Sequence, residues 1–175
     1  LFTSSSSVYA QVNGERVTEE SETVPDRETG KILLEAEQVV TGAGGVVARL
    51  AGIYGPGRSV LLRKFQSGEA VIEDDGKRFI NQIHRDDAAK AVFHLLTLDE
   101  FSGGEIFNVS DSGSLSQLEV YQGLARIFGK DLPPFGPRDL NRKRGWTHKR
   151  VSNEKLRSRG WEPLYPCFLD AVGGL

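Results

Sequence analysis

The stretch that decides the fold is Val46-Val47-Ala48-Arg49-Leu50-Ala51-Gly52-Ile53-Tyr54-Gly55-Pro56-Gly57-Arg58. Its first six residues form a short run led by β-branched side chains, which suits a buried strand of a parallel sheet. Tyr54-Gly55-Pro56-Gly57 reads as a loop, and Ser59 behind it can N-cap a short helix ending near Gly68. Ahead of the run, Ile32, Leu33, Ala36, Val39 and Val40 recur at helical spacing. They predict a helix from about Glu28 to Val40, broken by Gly42-Ala43-Gly44-Gly45. Helix, glycine turn, strand, loop and helix in succession point to an α/β chain.

The same alternation extends in both directions. Leu1-Phe2-Thr3-Ser4-Ser5 reads as a strand running into a loop, and Asn13-Gly14 marks a turn. Downstream, Ala70-Val71-Ile72 and Phe79–Ile83 look like strands around the turn Asp75-Gly76. Asp86 or Asp87 then caps a helix with Ala88, Ala91, Val92, Leu95 and Leu96 on one face. Glu105–Ser110 is a further strand. Ser116-Gln117-Leu118-Glu119 is a capping box whose helix runs through Phe128 and closes at Gly129. Lys149–Ser152 is extended, and the helix after it ends at Gly160. Short glycine-rich connections between these elements argue for a mostly parallel sheet. The basic, proline-containing stretch 132–150 reads as an irregular cap beside it.

Composition narrows the function. The chain has 175 residues, 38% of them apolar, enough for one ordinary domain or part of a larger one. Its 22 basic and 24 acidic residues leave a net charge of −2, which excludes a globally basic nucleic-acid binder. One cysteine excludes a disulfide scaffold and a cysteine-based metal cluster, and suits a reducing, cytoplasmic setting. No apolar run approaches the roughly 18–20 residues that a membrane-spanning helix needs. The chain has no methionine and opens inside an apparent strand, which reads as the C-terminal part of a longer protein.

Several motifs lead nowhere. Gly42-Ala43-Gly44-Gly45 follows a helix and precedes a strand, whereas a phosphate loop needs a strand feeding a helix N-terminus. His84, His94 and His148 share no ligand spacing, so no metal is expected. Cys167 reads as a small packing residue. Residues 138–159 carry nine Lys and Arg against Asp139 and Glu154. Beside an acidic first quarter, they fit a phosphate-bearing small substrate better than a nucleic acid.

The informative pattern is distributed. Thr3-Ser4-Ser5-Ser6-Ser7-Val8-Tyr9 ends the first strand, Glu37-Gln38 sits on the following helix, and Arg49–Arg58 comes next. Ile83-His84-Arg85-Asp86-Asp87-Ala88-Ala89, Glu105-Ile106-Phe107-Asn108-Val109-Ser110 and Gly160-Trp161-Glu162-Pro163 complete it. In this order and spacing the chain resembles the extended short-chain dehydrogenase/reductase family, the NAD-dependent epimerase/dehydratases of nucleotide sugars.

That resemblance implies the C-terminal part of a Rossmann-type parallel sheet with a smaller C-terminal substrate domain. Residues 1–58 would complete the NAD(P)-binding half, 59–83 would belong to the substrate domain, 84–112 would return to the sheet, and 113–175 would form the rest of the substrate domain. Thr3 and Ser4 would lie near the nicotinamide of NAD or NADP, with Leu50, Ala51 and Gly52 passing its ring. Ser5 would take the catalytic Ser/Thr position and bond the substrate's reacting oxygen. Tyr54, Arg58, Asn81, His84 and Arg150 are candidates for the substrate side, with a structural role for His84 left open. The implied partner is a small molecule, with a nucleotide sugar foremost; a homodimer is one candidate assembly.

The chain departs from the family at its acid–base pair, a tyrosine with a lysine four residues on. Aligning Ala36-Glu37-Gln38 with the family's helix puts Thr29 at the tyrosine position and Leu33 at the lysine; anchoring on Lys31 puts Arg27 at the tyrosine. Tyr9 and Tyr54 are the remaining phenols to consider. The sequence therefore resembles an atypical branch without YxxxK. Two readings stay open: an oxidoreductase acting on a hydroxyl or keto carbon, and a non-catalytic NAD(P)-binding regulatory protein.

Overall fold

The computed structural model describes residues 1–98, 103–139 and 146–175. Strand β1 (Phe2–Ser5) runs into a 3-10 turn at Ser6–Val8, followed by β2 (Glu15–Val17), helix α1 (Glu28–Gly42), β3 (Val47–Leu50) and β4 (Gly52–Tyr54). Then come α2 (Val60–Gln66), β5 (Ile72–Glu73), β6 (Gln82–His84), α3 (Arg85–Thr97) and β7 (Ile106–Val109). The chain closes with α4 (Gln117–Phe128), β8 (Phe135–Gly136), β9 (Lys149–Val151), α5 (Glu154–Ser158) and α6 (Phe168–Ala171).

The strands pair in parallel throughout, as the α/β reading expects. The central sheet has the order β1-β3-β7, and three parallel pairs, β2-β9, β4-β6 and β5-β8, flank it. Register decides what each sheet face carries. Thr3, Ala48 and Phe107 stand in one row across the sheet, and Ser4, Arg49 and Asn108 in the next. Successive side chains alternate between faces. Ala48, Phe107 and Val109 pack with Ala88, Ala91 and Leu95 of α3 and with Leu156 and Trp161. The polar row faces α1 instead. A second apolar cluster joins Tyr54, Leu62, Phe65 and Ile72 to Val120, Tyr121, Leu124 and Phe168.

The edge of β7 is closed by side chains. Glu19 accepts the Asn108 N–H at 2.7 Å, and the Lys155 ammonium donates to the Ile106 carbonyl at 2.9 Å. A strand edge so occupied offers no template for another chain.

Several boundaries differ from the sequence reading. Helix α3 begins at Arg85 and is capped by His84, whose ring nitrogen accepts the Asp86 N–H; Asp86 and Asp87 fall in its first turn, where their charge suits the helix dipole. Its buried face is Asp87, Ala88, Ala91 and Leu95, leaving Leu96 exposed. Ile32 and Val39 of α1 are likewise exposed, because the helix turns Gly30 toward Pro25 and Glu37 toward Ser4 and Arg49 of the sheet. Tyr54 belongs to a strand rather than a loop. The strands read at 70–72 and 79–83 form at Ile72–Glu73 and Gln82–His84, with Phe79 contributing only a bridge to Ser116. The caps at Ser59 and Ser116 and the left-handed Gly129 stand where the sequence puts them. Among the described residues no helix is long and apolar enough to cross a membrane.

Candidate functional site

The C-terminal ends of β1 and β3 open onto one cleft of about 1080 Å3. Parallel sheets bind ligands outside the carboxyl ends of their strands. Ser4–Ser7 form one part of the wall, Leu50–Tyr54 the next, and Phe79–Gln82 with Thr147 and Lys149 close it. Arg58, Arg63, Lys64 and Arg78 also line it, with Asp139 the acid in the lining and Glu73 pairing Arg78 at 3.5 Å. Such a surplus of cations favours an anionic ligand.

Beneath the floor lies a buried polar network built on the Ser4, Arg49 and Asn108 row. Ser4 Oγ donates to Glu37 Oε1 at 2.5 Å. Arg49 donates to both oxygens of Glu37, from Nε at 3.1 Å to each and from Nη2 at 2.6 Å to Oε2. Its Nη1 reaches the Tyr9 hydroxyl at 2.8 Å, and that hydroxyl donates to Asn108 Oδ1 at 2.9 Å. Burial pushes the Tyr9 phenol above its usual range, against the lowering pull of Arg49 and Asn108. One helix and all three central strands are thereby locked together under Ser5.

The candidate residues are distributed as follows. Ser5 lines the cleft, and its Oγ accepts the Ser7 N–H at 3.2 Å, which leaves the hydroxyl proton free to be donated. Ser4, Leu50, Ala51, Gly52, Tyr54, Arg58 and Asn81 line the same cleft. Thr3 is exposed on β1, outside it. Thr29, exposed on the first turn of α1, borders a separate cavity of about 30 Å3 with Ser7, Tyr9, Trp146 and Thr147. The hydroxyl of Tyr9 is committed to the buried network. That of Tyr54 has no hydrogen-bond partner among the described residues, and burial is the chief cause that raises its pKa. His84 caps α3, with its ring packed against Tyr54 and Tyr165. Arg150 donates to the Gly14 carbonyl and covers the Phe79 ring.

Three features were not readable as site features: the Glu37–Arg49 pair, the cleft cations Arg63, Lys64 and Arg78, and Lys149. The Lys149 side chain is buried, donates to the Tyr9 carbonyl at 2.5 Å, and lies 3.3 Å from Thr147 Oγ1. Arg142, Lys143 and Arg144 of the basic run lie outside the described residues. Arg138 of that run pairs with Asp74 and stacks on Trp146. Among the described residues, no His, Cys, Asp and Glu cluster is able to hold a metal ion.

Solved structures give this arrangement its relatives. A protein from Methylobacillus flagellatus, assigned as an NAD-dependent epimerase/dehydratase, matches 99% of the chain at 27% identity and a TM-score of 0.79. The chain has the fold of the extended short-chain dehydrogenase/reductases. A conserved protein of unknown function from Silicibacter pomeroyi matches 98% of it at 25% identity and a TM-score of 0.80. The UDP-glucuronic acid 4-epimerase of Bacillus cereus, solved with UDP-glucuronic acid and NAD, matches 98% at 21% identity and a TM-score of 0.81. The chain spans 63%, 62% and 58% of the Silicibacter, Methylobacillus and Bacillus chains. No family model and no curated protein sequence matches it.

Of the two features a nicotinamide dinucleotide needs from a parallel sheet, a cleft at the strand ends and a helix N-terminus for its pyrophosphate, the described residues supply the first. Ser4, Ser5, Leu50, Ala51 and Gly52 line the cleft at the strand ends. The Gly42–Gly45 turn joins the end of α1 to the start of β3, at the opposite end of the strands. It offers no helix N-terminus to a pyrophosphate.

Proposed function

We propose that this protein is an NAD-dependent oxidoreductase of the epimerase/dehydratase kind, working at a hydroxyl or keto carbon of a nucleotide-linked sugar. The observation that carries the reading is the cleft itself. Its strand-end wall carries the Ser5 hydroxyl, whose proton is uncommitted, and its lining also includes Arg58, Arg63 and Lys64, with Arg78 beside Glu73. A sugar carrying a diphosphate matches both: the phosphates meet the cations, and the sugar reaches Ser5. The NAD and UDP-glucuronic acid of the Bacillus cereus epimerase structure support the same pairing of ligands.

In this reading Ser4, Ser5, Leu50, Ala51 and Gly52 hold the nicotinamide end, and the bound dinucleotide supplies the hydride sink. Ser5 orients the substrate oxygen. Residues 1–58 and 84–112 serve the cofactor side, and 59–83 and 113–175 the substrate side. Arg58 and Asn81 stand on the substrate wall, Asn81 chiefly as the clamp of β9.

Nicotinamide absorbance, followed with NAD or NADP and a panel of UDP- and dTDP-sugars, tests the reading. A substrate-dependent change supports it. Tight NAD(P)H binding with neither an absorbance change nor a new sugar nucleotide by chromatography, since an epimerase or dehydratase returns its hydride within each cycle, favours instead the non-catalytic, regulatory reading, for which Thr29 and Leu33 at the expected tyrosine and lysine positions speak.

A further inference from the structure

Lys149 is an unusual residue for its position. It lines the cleft from β9 with its amine 3.3 Å from Thr147 Oγ1, and the residue is only 3% exposed. Its ammonium donates to the Tyr9 carbonyl, and no carboxylate among the described residues lies within ion-pairing distance. A lysine whose only task is to brace a loop is normally matched by a counter-charge when buried. The charged groups on the surrounding walls are Arg58, Arg63, Lys64 and Arg78, with Asp139 the acid in the lining and Glu73 behind it, 3.5 Å from Arg78.

The backbone that carries Lys149 is held from both sides. The Asn81 carboxamide donates to the Lys149 carbonyl at 2.9 Å and accepts the Val151 N–H at 2.8 Å. Val17 and Val151 pair in register on the other side, through β2. The amine is thus a fixed group. Two of its donors are spent on Tyr9 and Thr147, and the third has no partner among the described residues.

We propose that Lys149 is the acid–base residue of this site, exchanging a proton with the sugar hydroxyl or carbonyl oxygen that Ser5 orients. The inference rests on the oxidoreductase reading above. In the oxidising direction, the hydroxyl proton passes to the neutral Lys149 amine while the carbinol carbon gives up its hydrogen, with both electrons, to an oxidised nicotinamide dinucleotide. The C–O single bond becomes a carbonyl and Lys149 becomes the ammonium. Reduction returns the proton from the ammonium to oxygen. Burial, reinforced by Arg78, pushes the Lys149 amine down to about 8, so both protonation states are accessible near neutrality. The same chemistry is closed to Thr29, whose hydroxyl is far less acidic than a phenol, and to Leu33.

The test begins without turnover. In protein labelled with 13C-lysine, the Lys149 Cε resonance, identified by its loss in Lys149→Arg, should titrate near pH 8. It should also shift when UDP-glucose or UDP-glucuronic acid is added. A midpoint in the ordinary lysine range of about 10.4, or indifference to both ligands, overturns the proposal. Lys149→Met should then lower nicotinamide-linked turnover by about 100-fold or more, with NADH and sugar-nucleotide affinities held within about threefold. Lys149→Arg should fail to restore it, since a guanidinium keeps its proton. Turnover of Lys149→Met within threefold of the wild type overturns this proposal alone. Absence of turnover in the wild type overturns the oxidoreductase reading and the proposal with it.

Discussion

Arg49 and Glu37 face each other as a two-pronged ion pair inside the protein, with side chains 4% and 3% exposed. The pair ties the middle strand of the sheet to the helix above it, and through the Ser4 hydroxyl it also holds β1. Two charges so deeply buried are maintained only while both are present, because either one alone has lost its water and its partner.

Glu37→Ala should therefore lower folding stability by ~3–5 kcal/mol, and Arg49→Met by a similar amount. The double variant Glu37→Leu with Arg49→Met should recover much of that loss, because it removes both charges and leaves apolar volume behind. Urea denaturation of the two single variants and the double variant closes the cycle. Equal losses that simply add would show that the two residues do not depend on each other.

Glycines 76 and 57 separate backbone strain from crowding. Both have φ of +71°, but a Cβ on Gly76 would meet Ile72 Cγ2 at 2.7 Å and Leu118 Cβ at 2.8 Å, while one on Gly57 meets nothing within 4 Å. Gly76→Ala should cost ~2–4 kcal/mol, combining the left-handed backbone with overpacking. Gly57→Asn should cost under ~1 kcal/mol, since asparagine tolerates that backbone. Thermal melts of the two variants give the comparison directly.

Local pattern carried much of the architecture. The β-branched run at 46–51, the Ser116–Glu119 capping box and the glycines at 129 and 160 each act within a few residues, so their physics is written in neighbouring letters. His84 escaped because Asp86 and Asp87 are better N-caps by type, and only the β6 strand geometry delivers the histidine ring to the Asp86 N–H. Glu37 reads as one more charge on an acidic helix. What buries it is Arg49, 12 residues away, aligned by the pairing of β3 with β1. Lys149 meets the Tyr9 carbonyl across 140 residues of chain, a relation to which no periodicity is sensitive.

Asp111 gives the protein a pH signature of its own. Burial is the main cause that pushes its carboxyl up to about 8, and the nearby charges of Asp170 and Asp87 add to it. The folded state thus prefers the neutral acid, whereas the unfolded chain ionises near ~3.9. The stabilisation is complete below that lower value and is lost as the pH climbs toward 8. Over this window the group contributes a falling slope of up to ~1.4 kcal/mol per pH unit. Asp111→Asn, which keeps the shape of the neutral acid, should flatten that slope and be more stable than the wild type at pH 8.5. Denaturant titrations at pH 5, 7 and 8.5 decide it. A wild type and variant with parallel pH dependence would show that Asp111 ionises freely in the fold.

The two buried tyrosines make opposite predictions from one deleted atom. The Tyr9 hydroxyl joins Arg49 to Asn108, so Tyr9→Phe leaves a buried guanidinium nitrogen and a carboxamide oxygen each short of a partner. The cost should be ~1–3 kcal/mol, with any nicotinamide-linked turnover keeping its wild-type pH profile because the phenol is a structural bridge. The Tyr54 hydroxyl has no partner among the described residues, so Tyr54→Phe removes a desolvated group that gives nothing in return. Its stability should stay within ~0.5 kcal/mol of the wild type or rise. Tyr54 also lines the cleft, and so a large fall in turnover with unchanged stability would mean that its hydroxyl meets the substrate. Measuring melting temperature and turnover on both variants separates these roles: stability should fall only for Tyr9→Phe, and a displaced pH profile in that variant would return Tyr9 to the acid–base chemistry assigned here to Lys149.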